Sequence, residues 1–372
     1  MSWLEWAEAE LASLEAQHVT RTIRDFNASS VRGRIAPSDE EIVSFASNDY
    51  LGLSTHPSVV SAARAATERW GFGAGSARLI AGSRPIHSQL EKELAAWKDE
   101  EGALLFPTGF AANYGVLAAL ARPGTIVYSD ELNHASIVDG CRASRSEVRV
   151  FSHRDAGALE LMIDKDRPAI VVSDLVFSMN GDVAPVDRLA EICRDTGALL
   201  VLDEAHAVLG PEPALDDVEH VRVGTLSKTL GSAGGFVAAP APLIDLFTNR
   251  ARTFVFTTAS PPAAAAAALA ALRVLRSDEG DRLVARLRAL VDRLVPDHPS
   301  PVVTVPLADE DLALKASRLL LERGYLVPAI RPPTVPPGTS RLRISLSAAH
   351  SEHDVDGLAR ALGELDLAPG NA

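Results

Sequence analysis

Residues 198–231 read ALLVLDEAHAVLGPEPALDDVEHVRVGTLSKTLG, and the reading of the fold turns on them. The branched apolar run Leu199–Leu202 ends in Asp203, with His206 three residues further on. A second short run, Val221–Thr225, delivers Ser227 and Lys228 into Gly- and Ser-rich sequence. Both runs have the length and composition of buried strands. In an open α/β sheet the C-terminal ends of such strands face the ligand crevice, so two neighbouring strands bring a carboxylate, an imidazole and an amine to one place. That set suits pyridoxal phosphate. Its aldehyde needs an amine for a Schiff base, and its pyridine nitrogen needs an acid to stay protonated. The competing reading of Asp203, a helix N-cap after a strand, is weakened by His206, by Lys228 and by the Ser/Thr spacing before the lysine.

Lysine usage sharpens this. The chain has five lysines, which leaves 31 of its 36 basic residues as arginine. Lys92, Lys98 and Lys165 sit beside acids, and Lys315 falls in an amphipathic helix. Lys228 alone follows an apolar strand without a charged neighbour. Guanidinium stays protonated and forms no Schiff base, so a lysine in that position points to chemistry arginine cannot do.

The 372 residues suffice for a large domain plus a smaller one. An apolar content of 47% with 23% charged residues is that of a globular chain. The net charge of −13 argues against nucleic acid or an anionic membrane surface as a partner. Two cysteines, Cys141 and Cys193, build neither a disulfide framework nor a metal cage, so no metal is expected and a reducing cytoplasm is. The acidic N-terminus lacks the basic start and apolar core of a signal peptide. The most apolar helical stretch, 261–275, is too short to span a bilayer.

Outward from the opening stretch, strand-like runs at 103–106, 125–128, 148–151, 169–172 and 235–238 alternate with helical periodicity at 57–70, 88–100, 111–121 and 186–196. Buried strands alternating with amphipathic helices imply an α/β fold with a mostly parallel, helix-covered sheet. Residues 1–20 have helical spacing (Trp3, Trp6, Leu11, Leu14) and are expected to pack on the body as an arm. Residues 21–45 look polar and irregular, and 71–82 form a glycine-rich loop. After Pro240, Ala/Leu/Arg helices at 262–277 and 280–294 lead to short strands near 302–306, 326–330 and 342–346, then a helix at 352–364. The expected division is an N-terminal arm (1–45), a large domain (46–240) and a small α+β domain (241–372) joined through the helix 262–277.

Three further places are candidates for chemistry. At 107–113, PTGFAAN, an apolar strand turns into a helix whose free N–H groups can take a phosphate, with Gly109 permitting close approach. His134 in DELNHASIVDG sits just past a strand, where an imidazole can stack on a flat ring. Ser178 in VFSMNGD also follows a strand end and is a candidate donor to the cofactor's phenolic oxygen; a plain turn serine before Asn-Gly is the competing reading.

NHASIVDG, VFSMNGD, DEAH, TLSKTLG and RPPTVPPGTSRLRISLSAAH together resemble the α-oxoamine synthase family of fold-type I pyridoxal phosphate (PLP) enzymes. The resemblance runs from SNDYLGLS at 47–54 to SAAH at 347–350. It implies that Gly109 and Phe110 cradle the phosphate and that His134 stacks over the ring. Ser178 and His206 become partners of the phenolic oxygen, Asp203 the pyridinium partner, Thr225 a phosphate contact and Lys228 the Schiff-base lysine. Thr257 and Thr258 match a segment lent to the neighbouring subunit's phosphate site, which implies a homodimer with shared active sites. Arg343 matches the residue that holds the amino-acid carboxylate; Arg21, Asn48, Ser76 and Thr334 match positions near the acyl-chain pocket. RPPTVP followed by Gly-Thr-x-Arg-Leu-Arg resembles the biotin-pathway branch, whose reaction is a decarboxylating Claisen condensation of L-alanine with a pimeloyl thioester. The alternatives within the family are the branches that make 5-aminolevulinate or 2-amino-3-ketobutyrate, and the branch that joins serine to a long-chain palmitoyl donor. Two departures stand out. Ala207, Val208 and Leu209 follow DEAH where the family has Ser or Gly and then Thr or Leu, and the stretch from Asp203 to Lys228 is several residues short.

Overall fold

The computed structural model describes residues 1–16, 19–36, 40–120, 122–307 and 309–370. Its centre is a seven-stranded sheet. In spatial order the strands are Gly102–Phe106, Gly235–Ala239, His220–Thr225, Leu199–Asp203, Ala169–Asp174, Ile126–Asp130 and Glu147–Phe151. The last five pair in parallel. Gly235–Ala239 runs antiparallel to both neighbours. Gly235 sits opposite Thr225, so the loop holding Lys228 is the connection of a hairpin.

Alternate residues of each central strand enter different cores, as a strand's period of two requires. Leu200 and Leu202 join Tyr128, Val171 and Phe177 on one face. Val201 joins Val172, Val223 and Phe106 on the other. A sheet buried on both faces accounts for the continuous apolar runs in the sequence.

The helices expected at 57–70 and 186–196 are Pro57–Trp70 and Val186–Thr196. That expected at 88–100 starts earlier, as Pro85–Lys98, with Pro85 at its first position. The one expected at 111–121 is Gly109–Leu120; residue 121 lies outside the described residues. The alanine-rich helix Pro262–Leu275 is largely buried and packs on Pro57–Trp70 and Pro85–Lys98, where small side chains let the axes approach.

Towards the C-terminus, Arg341–Ser345 is the middle strand of a three-stranded sheet, between Val302–Pro306 and Ala329–Ile330. Segment 45–50 is laced to it: Ser345 N–H donates to Phe45 O (2.7 Å) and Ala348 N–H to Tyr50 O (2.8 Å). These two bonds set Asn48 and Tyr50 beside Arg343.

Two expectations need correction. Residues 26–35 and 41–44 are not irregular. Phe26–Ala28, Arg32–Ile35 and Glu41–Ser44 form an antiparallel meander, and Tyr325–Leu326 adds to its last strand in parallel. These strands are three or four residues long and half exposed, too short to show a period. The N-terminal helix, Trp3–Ala16, forms but buries none of its residues against the described body, and Trp3 meets Trp6 edge-on at 5.7 Å.

Candidate active site

Four parallel strands end at the same edge of the sheet, and their last residues or the turns just beyond them furnish the site. Asp203 and Asp174 terminate adjacent strands and stand opposite one another in register. Asp203 Oδ1 accepts from Ala205 N–H (2.8 Å), and Oδ2 accepts from Asn113 Nδ2 (2.6 Å). Asp174 accepts from the His134 N–H at 2.7 Å and so fixes the turn that presents the His134 ring. Burial, reinforced by the neighbouring Asp203 charge, pushes the Asp174 carboxyl well above the usual carboxylate range.

Between these groups lies a cavity of about 220 Å³, lined by Gly109, Phe110, Asn113, His134, Ser136, Asp174, Asp203, Ala205, His206, Gly224, Thr225 and Lys228. At one end the chain starts the helix Gly109–Leu120, with Thr108 Oγ1 accepting from Ala111 N–H (3.0 Å). A Cβ on Gly109 would stand 3.3 Å from Thr225 Cβ, so a bare backbone is what lets the turn close on the Thr225 side. Thr225 Oγ1 is held between Gly234 O (3.0 Å) and Ser227 N–H (3.1 Å).

Lys228 Nζ is 2.7 Å from His206 Nε2. Burial lowers the lysine's affinity for its proton; Asp203 and Asp174 pull it back up, and Arg343 adds to the lowering. His206 is held well below the usual histidine range by burial first, then by the Lys228 and Arg343 charges. His134 is lowered by burial as well, and its Nδ1 is 2.7 Å from Ser136 Oγ. Both rings are therefore neutral imidazoles. The unusual sequence after His206 forms one 3-10 turn, Ala207–Leu209, closed by Gly210. Asp203, His206 and Lys228 still line one cavity around it.

Arg343 is buried, and among the described residues no carboxylate pairs with it. Its Nε donates to Ser178 O (2.6 Å), NH1 to Ser345 Oγ (2.7 Å) and NH2 to Asn48 Oδ1 (3.2 Å). Ser178 meets it through the backbone carbonyl, and its hydroxyl makes no hydrogen bond among the described residues. Arg21 NH2 donates to Thr334 Oγ1 (3.2 Å), which joins two of the expected acyl-pocket residues at the surface. Ser76 accepts from Ala81 N–H and from Ala259 N–H, away from the cavity. Thr257 and Thr258 do not line the chain's own cavity.

Four residues of the site have no counterpart in the sequence reading. Tyr50 is fully buried, with its hydroxyl 2.5 Å from His206 Nδ1 and 3.1 Å from Asn48 Oδ1. Asn113 contacts Asp203, and its own Oδ1 is buried without a partner. Asp174 and Ser136 complete the group. The one sequence signal among them is Asp174, which ends AIVVSD as Asp203 ends LLVLD.

The donor set fits pyridoxal phosphate. A partly buried amine with a weakened hold on its proton, a buried carboxylate, a neutral imidazole and a glycine helix start surround one cavity. Each would answer to a different part of that cofactor: aldehyde, ring nitrogen, ring face and phosphate.

The family description "Aminotransferase class I and II" matches residues 40–362. An 8-amino-7-oxononanoate synthase of Methylobacterium nodulans is 46% identical, over 98% of this chain and 97% of the relative. Among solved structures, a serine palmitoyltransferase from S. paucimobilis with a bound PLP–myriocin adduct superposes with a TM-score of 0.88 at 28% identity, covering 98% of this chain and all of that one. An 8-amino-7-oxononanoate synthase from Francisella tularensis gives 0.75 at 26% identity, over 87% of this chain and 98% of that one.

Proposed function

The chain belongs to the class I and II aminotransferase family and is a PLP-dependent enzyme, and on that premise we propose that it makes 8-amino-7-oxononanoate from L-alanine and a pimeloyl thioester. The observation that carries this reading is the single cavity shared by Lys228 and Asp203, with the carboxylate-free Arg343 reaching the same network through Asn48. Choice of branch rests on the 46% identity to a named 8-amino-7-oxononanoate synthase, against 28% to the serine palmitoyltransferase.

In this reading Gly109, Phe110 and Thr225 hold the phosphate, Ser178 and His206 the phenolic oxygen, and Asp203 keeps a proton on the ring nitrogen. His134 covers the ring face. Bound there, pyridoxal phosphate supplies the electron sink that makes the alanine α-carbon acidic. Arg343 exchanges its neutral acceptors for the alanine carboxylate, which it can grip bidentately. Lys228 is the base that takes the α-proton and later returns one; burial lowers its pKa, as a base working near neutrality requires. Alanine Cα bonds to the acyl carbon, the thiol carrier departs, and alanine's carboxylate leaves as carbon dioxide.

Thr257 and Thr258 serve the site of a second copy, so the working unit is a homodimer. Exposed Phe72 and Phe256 are consistent with such a surface. Among the described residues no helix is long and apolar enough to cross a membrane. Two free, buried thiols, Cys141 and Cys193, suit a reducing cytoplasm.

The test supplies alanine, glycine and serine in turn with pimeloyl-, succinyl- and palmitoyl-coenzyme A and follows thiol release. Highest kcat/KM for alanine with the pimeloyl donor is expected; a preference for glycine with succinyl-coenzyme A would move the chain to the 5-aminolevulinate branch.

A further inference from the structure

Outside the cavity, His153 stands between two carboxylates. It lies just past the strand Glu147–Phe151, with Nδ1 3.0 Å from Asp130 Oδ1 and Nε2 2.6 Å from Asp182 Oδ2. Its ring is edge-on to Phe177, with centroids 4.4 Å apart. Both ring nitrogens face oxygens that can only accept, so both must donate, and the ring is an imidazolium. Burial works against that charge, but the hydrogen bonds the ring donates to Asp130 and Asp182, with the charges of those carboxylates, outweigh it and raise the pKa to about 9. The other charged groups around the ring are Glu131, which accepts from the His153 N–H, and Arg154, 3.6 Å from Asp182. Arg341 and His298 lie beyond Asp182 and feel its charge.

Asp182 closes a tight loop. Phe177 N–H donates to Asp182 O (3.0 Å), Gly181 N–H donates to Phe177 O (2.8 Å), and Val176 bridges to Val183. Two residues of that loop accept from the strand Arg341–Ser345. Ser178 O accepts from Arg343 Nε, and Asn180 Oδ1 accepts from Arg341. The loop is thus anchored to the sheet edge at Asp182 and holds the arginines from its tip.

We infer that His153 is a positioning residue for Arg343. By joining Asp130 at the sheet edge to Asp182 in loop 177–182, it fixes the Ser178 carbonyl and, through it, the plane of the Arg343 guanidinium. The consequence for amino-acid binding rests on the carboxylate role proposed above for Arg343. The geometric part does not.

His153→Gln and Asp182→Asn cut the bridge from either side, so one variant serves if the other fails to fold. With the holoenzyme and no acyl donor, equilibrium titration of alanine should give a Kd raised roughly tenfold in each. Steady-state KM for pimeloyl-coenzyme A should stay within about twofold, and the double variant should be no worse than either single one. Independently of any substrate, the Arg343 Nε–H resonance of 15N-labelled protein should lose its protection from exchange in both variants. Unchanged protection would overturn the inference, as would equal losses for alanine and acyl donor. Lost protection with unchanged alanine affinity would keep the positioning role and remove the carboxylate role of Arg343.

Discussion

Lys228 Nζ lies 2.7 Å from His206 Nε2, at the end of a chain of contacts that runs through Tyr50 and Asn48 to Arg343. Asn48 Oδ1 can only accept, and it takes the Arg343 NH2 and the Tyr50 hydroxyl. A Tyr50 proton given to Asn48 makes the hydroxyl an acceptor for His206 Nδ1–H, and that tautomer would turn the Nε2 lone pair to Lys228. The relay runs from the arginine meant for the substrate carboxylate to the amine meant for the cofactor.

Tyr50→Phe tests the relay. Burial raises the Tyr50 hydroxyl to about 12, so it stays protonated through the working range. The phenyl ring keeps the packing, while a buried Nδ1–H loses its acceptor at a cost of about 1–3 kcal/mol. We expect kcat to fall roughly tenfold and the His206 ring 15N shifts to report a mixture of tautomers. A single unchanged tautomer would show that something other than Tyr50 sets it.

Lys228→Ala should abolish turnover while leaving the fold intact, because both cofactor anchoring and the base are assigned to this one amine. Purified wild-type protein should be yellow, and borohydride should fix the cofactor on the Lys228 peptide. Normal turnover in the variant would sink the mechanism.

Asp203→Asn keeps the shape and removes the charge. Cofactor should remain bound less tightly, with kcat lowered roughly 10²-fold or more, about 2.7 kcal/mol or more of barrier. Wild-type kcat would return Asp203 to the role of a turn residue whose Oδ1 accepts from Ala205 N–H.

What could be read in the sequence was whatever sits in one contiguous buried run. LLVLD and the strand that precedes Lys228 carry their own strand signal, and their polar ends point to the crevice by the geometry of the sheet. Tyr50, Asn113 and Asp174 act on those groups from distant parts of the chain, and no spacing rule connects position 50 to position 206. The 26–44 meander is invisible for a different reason: its strands are too short for a period. Lys98 was set aside for its acidic neighbours, yet its partner is Glu204, 2.6 Å away and more than a hundred residues on.

The His153 bridge also makes a stability prediction. Its folded pKa is raised from 6.5 to about 9, so its contribution is fully present below about pH 6.5 and is lost as pH rises through about 9. The gap in urea midpoint between wild type and His153→Gln should therefore be largest near pH 6 and shrink towards pH 10. A gap independent of pH would mean the ring acts by packing on Phe177 alone.

The last prediction separates the two substrates. Arg343 is buried within the C-terminal sheet and holds three neutral acceptors, so a carboxylate arriving there replaces weak bonds by charge-assisted ones. Arg21 is exposed and meets Thr334, and nearby Arg331 NH2 donates to Thr20 O at 2.8 Å. These two bonds tie residues 20–21 to the loop 331–334, at a place where the far carboxylate of a dicarboxylic acyl chain would find a cation. Arg343→Ala should therefore raise KM for alanine by roughly tenfold or more, the scale of a lost buried charge-assisted pair. Arg21→Ala should leave alanine unaffected and raise KM for the pimeloyl donor, with little effect on a monocarboxylic heptanoyl donor. If Arg21→Ala penalised pimeloyl and heptanoyl thioesters alike, the arginine would be serving the carrier or the loop, and the second carboxylate would have to be recognised elsewhere.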